Sequence, residues 1–205
     1  TTGGSYYVLD RASGRVVERI GCGEPIFSAP VVSQGRAYFA TLGSRVYAVE
    51  PDGTVCWVWD FVKEVLKFTG DRWDGRQWLE HAVARQQPEY AAGRVTWRDS
   101  FCCSMNVGAF GKTVVVPTGG RTVWLEDTGS AAKVRAEGLI PSYAGTEYPA
   151  TFGQSIGPDG AVYRQWHRRD NAGRVEILRL DGDQVTTDFV PGTETAINLP
   201  GLLSF

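Results

Sequence analysis

Apolar and polar residues alternate with a period of two over much of the chain, and this period is typical of half-buried β-strands. Turn residues, above all glycine, separate the apolar runs. In the first part of the chain the pattern predicts strands at about residues 6–10, 15–20, 29–33, 36–41, 45–50 and 54–59. We therefore expect an all-β fold of short, closely spaced strands.

One unit of this pattern recurs along the chain. It consists of a glycine turn, a short apolar strand, an acidic residue and a second turn that ends in glycine. The unit occurs at residues 2–14, 41–53 and 118–129 and, in a weaker form, at residues 172–182. Recurrence of one supersecondary unit is the signature of a repeat architecture.

Residues 28–61 form the most complete unit and contain four of the predicted strands. Its third and fourth strands are joined by Pro51-Asp52-Gly53, a strong turn sequence in which proline presets φ and glycine accepts a positive φ. Four short antiparallel strands in about 35 residues make one blade of a β-propeller. The sequence thus predicts a propeller of four-stranded antiparallel blades.

The alternation stops after Trp59, and a period of 3.6 replaces the period of two. Asp60 can cap a helix over residues 61–68, and Asp74 can cap a second helix over residues 76–84. We therefore expect a helical insertion at about residues 60–95. Such an insertion is either a contact site for a partner or ligand or a decoration that covers one face of the ring.

Residues 46–57, Val-Tyr-Ala-Val-Glu-Pro-Asp-Gly-Thr-Val-Cys-Trp, resemble the repeat of the pyrroloquinoline-quinone-like β-propeller family. That repeat has an apolar-Tyr-Ala-apolar-acid strand, an Asp/Gly turn, and a strand that carries tryptophan. Residues 28–32 and 35–39 are similar to the preceding strand pair. The resemblance implies that Trp57 docks between adjacent blades.

Two later units depart from the family pattern. The unit at residues 106–137 carries Trp124 in its third strand and has no tryptophan after the turn, and the unit at 152–190 carries its Trp166 in the second strand. We expect residues 1–205 to form a partial propeller, in which residues 1–22 supply the last two strands of a blade. The ends either close a small ring of about four blades or belong to a larger ring, and we expect the larger ring.

Cys102 and Cys103 form the most unusual dipeptide in the sequence. Adjacent cysteines can form a strained vicinal disulfide, which is easily reduced, and quinone-dependent alcohol dehydrogenases of similar fold carry such a pair. Alternatively, the two side chains point to opposite faces of a strand, or one pairs with another cysteine. The calcium ligands and catalytic aspartate of those enzymes are not reproduced here. We therefore expect no cofactor, with pyrroloquinoline quinone and calcium as the alternative.

His167, Arg168 and Arg169 place three positive or titratable groups in a row. Such a group can receive a carboxylate or phosphate on a partner, or it can be a solvated strand end. The only other histidine is His81, and no CxxC or HxxxH spacing occurs, so no metal site is predicted.

Charge and hydropathy exclude two classes of partner. The net charge of −2 provides no field for nucleic acid, and no apolar stretch approaches the roughly 20 residues of a membrane span. The four cysteines are compatible with an oxidising compartment. Together with the location that is usual for members of the family, the cysteines suggest a periplasmic or secreted protein.

Three functions remain open on these residues. The first, which we expect, is a non-catalytic propeller that serves as a binding or assembly scaffold, with a protein partner or the remaining blades against it. The second is a fragment of a quinone-dependent dehydrogenase, favoured by Cys102 and Cys103. The third is a polymer-acting propeller enzyme, favoured by the seven tryptophans.

Overall fold

The computed structural model of the chain describes residues 1–65, 67, 107–118, 121–139, 150–167 and 173–191. Within these ranges the protein is nearly all β. The strands form one two-stranded and three four-stranded antiparallel sheets, and one short helix follows the second sheet. The expected fold, a β-propeller of four-stranded antiparallel blades, is confirmed.

The four sheets follow one another along the chain, and in each of them the strand order is the chain order. Sheet 1 contains β1 (Ser5–Leu9) and β2 (Val16–Gly21). Sheet 2 contains β3 (Val31–Ser33), β4 (Arg36–Ala40), β5 (Arg45–Val49) and β6 (Val55–Asp60). Sheet 3 contains β7 (Gly108–Phe110), β8 (Thr113–Pro117), β9 (Arg121–Asp127) and β10 (Ala132–Leu139). Sheet 4 contains β11 (Ala150–Ile156), β12 (Val162–His167), β13 (Gly173–Asp181) and β14 (Gln184–Phe189).

Each of the first six strands begins and ends within two residues of its predicted bounds. The turn between β5 and β6 also forms as predicted. Gly53 has φ +94°, a conformation that strains any residue with a Cβ, and an added Cβ would overlap the side chain of Glu18 on sheet 1. This glycine therefore serves both the turn and the close approach of the two sheets.

Helix α1 (Phe61–Glu64) begins where the sequence predicts, and the Asp60 carboxylate caps it by accepting from the Lys63 amide at 3.0 Å. The helix was predicted to continue to residue 68, but it ends at Glu64. Lys67 adopts a left-handed φ of +57°, which an α-helix does not accommodate. Residues 68–106, with the second predicted helix, lie outside the described residues.

Aromatic and branched side chains fill the interfaces between consecutive sheets. Sheets 1 and 2 meet through a stack in which Phe39 lies between Tyr6 and Tyr47, with ring centroids 4.3 and 5.1 Å apart. Sheets 2 and 3 share the largest apolar cluster, which includes Trp57 and Trp59. Sheets 3 and 4 pack through a smaller cluster around Trp124, Val162 and Leu178. Consecutive sheets therefore stack face to face, as blades do.

The up-and-down strand order places the turns at two opposite ends of the sheets. Turns that join the first to the second strand and the third to the fourth strand lie at one end, which we name the hairpin end. The turns between second and third strands and the connections between sheets lie at the other end. Every turn of the hairpin end belongs to the described residues, including the β7–β8, β11–β12 and β13–β14 turns.

Candidate functional site

Trp57 lies on β6 and is 6% exposed, within the apolar cluster that sheets 2 and 3 share. Its ring is 5.9 Å from that of Tyr38 on β4. The indole Nε1–H donates to Asp127 Oδ1 at 3.0 Å, and Asp127 is the last residue of β9 on the next sheet. The tryptophan named in the family pattern thus contacts the following blade through both packing and a hydrogen bond.

Asp127 is the centre of the polar contacts between sheets 2 and 3. Its Oδ2 accepts from Tyr38 Oη at 2.7 Å and from Arg36 Nη1 at 2.6 Å. Its Oδ1 accepts from Trp57 Nε1 and from the Gly129 amide, the latter at 2.7 Å. Three donors from one blade therefore converge on one buried carboxylate of the next.

Burial of Asp127 opposes its ionisation, but the hydrogen bonds from Tyr38, Gly129, Trp57 and Arg36 outweigh that effect and lower its pKa. Burial and the bond to Asp127 raise the pKa of Tyr38. Both groups thus keep, at neutral pH, the protonation states that their hydrogen bond requires. The pair is suited to holding the blades together rather than to transferring a proton.

Acid is expected to weaken this interface, because the folded pKa of Asp127 lies below its unfolded value. Its contribution is fully present above the unfolded pKa of about 3.9 and is lost as the pH falls through the folded pKa. Urea unfolding between neutral and acidic pH measures this dependence. Asp127→Asn is expected to flatten it below about pH 4, whereas Glu126→Gln, which changes an exposed acid on the same strand, keeps it. An unchanged acid limb in Asp127→Asn would contradict the role of this carboxylate.

A second carboxylate extends the network towards the protein surface. Glu50 Oε1 accepts from Arg36 Nη2 at 2.5 Å and from the Cys56 thiol at 3.2 Å. Burial, followed by the bond to Glu50, raises the pKa of Cys56. The thiol is therefore held protonated, which disfavours nucleophilic chemistry at neutral pH.

The interface between sheets 1 and 2 has its own charged centre. Glu24 is buried, and its two carboxylate oxygens accept from Arg45 Nη1 at 2.6 Å and from Thr41 Oγ1 at 2.5 Å. Arg45 Nε also donates to the helix-capping Asp60 at 3.2 Å. The segment that follows sheet 1 is thereby tied to the start of β5 and to helix α1.

Sheet 4 contains a fully buried ion pair, one partner of which also bonds to sheet 3. Arg164 on β12 and Glu176 on β13 both have side chains that are 0% exposed, and Arg164 Nη2 lies 2.7 Å from Glu176 Oε2. Arg164 Nη1 also donates to the Gly138 carbonyl of β10 at 3.1 Å. Among the described residues, Glu176 Oε1 has no hydrogen-bond partner. Loss of either partner would leave the other charge buried without its counter-ion, which is costly.

Sheet 1 exposes a face that corresponds to a buried face in the next two sheets. In sheet 2 the hydroxyl of Thr41 accepts from the amide of Arg45, at the start of β5. The hydroxyl of Thr1 accepts in the same way from the amide of Ser5, at the start of β1, and that of Thr118 accepts from Arg121, at the start of β9. These contacts align Ser5, Arg45 and Arg121 as the first residues of equivalent strands. In this alignment Tyr7 corresponds to Tyr47 and Val123, and Leu9 corresponds to Val49 and Leu125.

The matched positions differ sharply in exposure. Tyr47 and Val49 are 7% and 1% exposed, and both Val123 and Leu125 are 0% exposed, because each pair packs against the preceding sheet. On β1, Tyr7 is 39% and Leu9 is 55% exposed. Val16, which pairs with Leu9 across the sheet, is also exposed. We call Tyr7, Leu9 and Val16 the open face.

The described residues include only some of the predicted site residues. His167 is the last residue of β12, and its backbone pairs with Ala150 and Gly173. Arg168, Arg169, Cys102 and Cys103 lie outside the described residues, so their roles as anion contact or redox pair stay predictions. Within the described residues, Cys22 and Cys56 are free thiols.

Sequence reasoning missed two buried acidic residues, Asp127 in the network between sheets 2 and 3 and Glu176 in the ion pair of sheet 4. A signal for Asp127 was present, because an acid precedes the second glycine turn in each repeat. No comparable signal marks Glu176, which lies on a strand of alternating charged and apolar residues.

Neither a metal cluster nor a membrane-spanning helix occurs among the described residues. They contain no group of three or more His, Cys, Asp or Glu side chains arranged to hold a metal ion. No helix among them combines the length and the apolar character that crossing a membrane requires.

Comparison with known proteins gives matches at two levels. The family model described as outer membrane protein assembly factor BamB matches residues 1–137. Among solved structures, the chain is similar to BamB from Moraxella catarrhalis, with a TM-score of 0.46 and 11% identity over 85% of this chain and 40% of that one. It is also similar to quinohemoprotein alcohol dehydrogenase from Comamonas testosteroni, with a TM-score of 0.47 and 14% identity over 92% of this chain and 23% of that one. The chain thus spans less than half the length of either structure, and no curated protein matches it.

Proposed function

This chain belongs to the pyrroloquinoline-quinone-like β-propeller family of the outer membrane protein assembly factor BamB, and we propose that it is a binding and assembly module within a larger extracytoplasmic protein or complex. In this proposal the propeller is a scaffold and performs no catalysis. The family match supports both the scaffold role and the location outside the cytoplasm. The chemistry of the blade interfaces agrees with it, because the carboxylates and cations that meet there bind one another.

The open face is the observation that carries the proposal. Tyr7 and Leu9 occupy positions that the next two sheets bury completely or nearly so against a neighbouring blade. A sheet face with this composition is built to be covered by another β-sheet. Burying one side chain of the size of Leu9 stabilises a contact by about 1.5–3 kcal/mol, and Tyr7 and Val16 enlarge the apolar area. The covering element is a protein partner or a further blade.

The strand edge next to this face supports the same interpretation. In sheets 2, 3 and 4 the third strand pairs with a strand on both sides, whereas within the described residues β1 pairs with β2 alone. An edge strand with unpaired backbone groups readily accepts another strand. A partner that covers the open face could therefore also extend sheet 1.

We expect the 205-residue chain to self-associate in solution, because none of the described residues covers the open face. Light scattering across a concentration series measures the effect. Leu9→Asp places a charge in the open face and is expected to shift the mass distribution towards the monomer. Val32→Asp is the matched control, because Val32 is 68% exposed on β3 and lies outside the open face.

Three outcomes would contradict the proposal or the role of the open face in it. A monodisperse wild-type monomer with a cooperative melt would show that the open face needs no partner. Robust dye reduction with simple alcohols after addition of pyrroloquinoline quinone and calcium would show that the propeller is catalytic. Equal effects of Leu9→Asp and Val32→Asp would place the association elsewhere on the surface.

A further inference from the structure

The sequence contains four Asp-Gly pairs, at residues 52–53, 74–75, 159–160 and 181–182. In such a pair the amide nitrogen of the glycine can attack the aspartyl Cγ, because glycine has no Cβ to hinder the approach. A succinimide ring forms and one water molecule leaves. Addition of water to the ring then gives either aspartate or isoaspartate, in which the main chain runs through the former side-chain carbonyl. The reaction requires an available carboxyl group and an available amide.

The pair in the β5–β6 turn has both reacting groups engaged in hydrogen bonds. Asp52 Oδ1 accepts from the Thr54 amide at 2.9 Å. The Gly53 amide donates to the Glu50 carbonyl, also at 2.9 Å. These bonds hold the carboxylate on one side of the turn and direct the amide to the other, so the fold opposes ring closure here.

The pair in the β11–β12 turn is held in the same way. Asp159 Oδ1 accepts from the Ala161 amide at 3.1 Å, and the Gly160 amide donates to the Gly157 carbonyl at 3.0 Å. The pair at residues 74–75 lies outside the described residues. Two of the three described pairs are therefore protected by the same two hydrogen bonds.

The pair in the β13–β14 turn lacks both of these bonds. Asp181 is the last residue of β13, and it and Gly182 are exposed. Within the described residues the Asp181 side chain makes no hydrogen bond or ion pair, and the Gly182 amide donates to no acceptor. A Cβ added to Gly182 would meet no atom within 4 Å. Both reacting groups are thus available, and the turn has room to rearrange.

We infer that Asp181 is a site of spontaneous conversion to isoaspartate, and that the fold protects Asp52 and Asp159 from the same reaction. The water that leaves when the ring forms is replaced when the ring opens, so the product has the composition of the starting protein and no co-reactant is needed. The modification does not depend on the proposed scaffold role.

Conversion at this turn would alter a contact between two blades. It adds one methylene to the main chain and so disrupts the pairing of Asp181 with Gln184. The next two residues hold Arg135 of β10, whose Nη2 donates to the Gly182 carbonyl at 2.7 Å and to Asp183 Oδ1 at 2.9 Å. Displacement of these acceptors loosens the contact between sheets 3 and 4 at the hairpin end.

Peptide mapping of the folded 205-residue chain tests the inference. The protein is incubated at neutral pH in water enriched in the heavy isotope of oxygen and digested in ordinary water. Mass-spectrometric fragmentation then distinguishes isoaspartate from aspartate. Because ring opening takes up one solvent oxygen, isoaspartate formed during the incubation carries the label and that formed during digestion does not. We expect labelled isoaspartate at Asp181 in several-fold excess over Asp52 and Asp159.

The same incubation in urea separates the effect of the fold from that of the sequence. Unfolding removes the hydrogen bonds that protect the β5–β6 and β11–β12 turns. The rates at the three sites are therefore expected to converge. Asp181→Glu should abolish the reaction at its turn in the folded protein, because the longer side chain would have to close a larger and less favourable ring. Asp52→Glu is the matched control and should leave conversion at Asp181 unchanged.

The effect on the blade contact is read from the NMR signal of Arg135 Nε–H, which is expected to shift in the converted fraction. Three results would overturn the inference: no excess of isoaspartate at Asp181 in the folded protein, an excess that persists undiminished in urea, or equal conversion in Asp181→Glu and Asp52→Glu at that turn. An unshifted Arg135 signal in the converted protein would overturn the loosening of the contact.

Discussion

Replacement of Trp57 by alanine is expected to lower the free energy of unfolding by about 3–5 kcal/mol, the usual cost of removing a buried aromatic side chain. The indole fills the cluster between sheets 2 and 3, and its removal also takes one donor from the buried carboxylate of Asp127. Chemical denaturation with tryptophan fluorescence or circular dichroism measures the change. The loss should appear in the unfolding midpoint, because the structure around the cavity can relax only in part.

Two further variants separate packing from hydrogen bonding. Trp57→Phe keeps a ring in the cluster but removes the Nε1–H donor, and it should cost about 1–3 kcal/mol. Val58→Ala changes the neighbouring residue, whose side chain is substantially exposed, and should have little effect. A Trp57→Ala protein as stable as the wild type would refute the docking role of this tryptophan.

Removal of one partner of the buried ion pair is expected to have a similar effect. Arg164→Met leaves the Glu176 carboxylate buried without its counter-ion and leaves the Gly138 carbonyl without its donor. Breaking a buried pair in this way costs about 3–5 kcal/mol. Thermal and urea unfolding should both report the loss.

The double variant Arg164→Met/Glu176→Leu is expected to recover most of that loss, because it removes both charges and fills the space with apolar atoms. Arg135→Met is the matched control at the same interface. Its partner Asp183 is largely exposed, and a surface pair of this kind contributes about 0–1 kcal/mol. Equal losses in Arg164→Met and Arg135→Met would contradict the role given to the buried pair.

The repeat could be predicted from the sequence because its signals are local. The strand period, the glycine turns and the capping by Asp60 each depend on residues that are close together in the sequence. The structure places these elements close to their predicted bounds. The end of helix α1 was missed, since the left-handed conformation of Lys67 is not a preference of lysine.

Only some residues of the candidate site could be predicted from the sequence. Trp57 was named from the family pattern, but its partner Asp127 comes from a blade that departs from the pattern, and nothing local joins the two positions. Arg164 lies on β12, the second strand of its unit. The complete burial of Arg164 was not predicted, because it depends on the pairing of Arg164 with Glu176 on the neighbouring strand β13.

The separation between Trp57 and Asp127 has a consequence during synthesis of the protein. The two residues are 70 positions apart, and a ribosome that adds 5–20 residues per second needs about 4–14 s to reach the second after the first. During that interval sheet 2 has left the ribosome, but sheet 3, which covers its aromatic face, is not yet complete. The nascent chain therefore presents an apolar surface at this stage, which is where chaperone binding or misassembly would compete with folding.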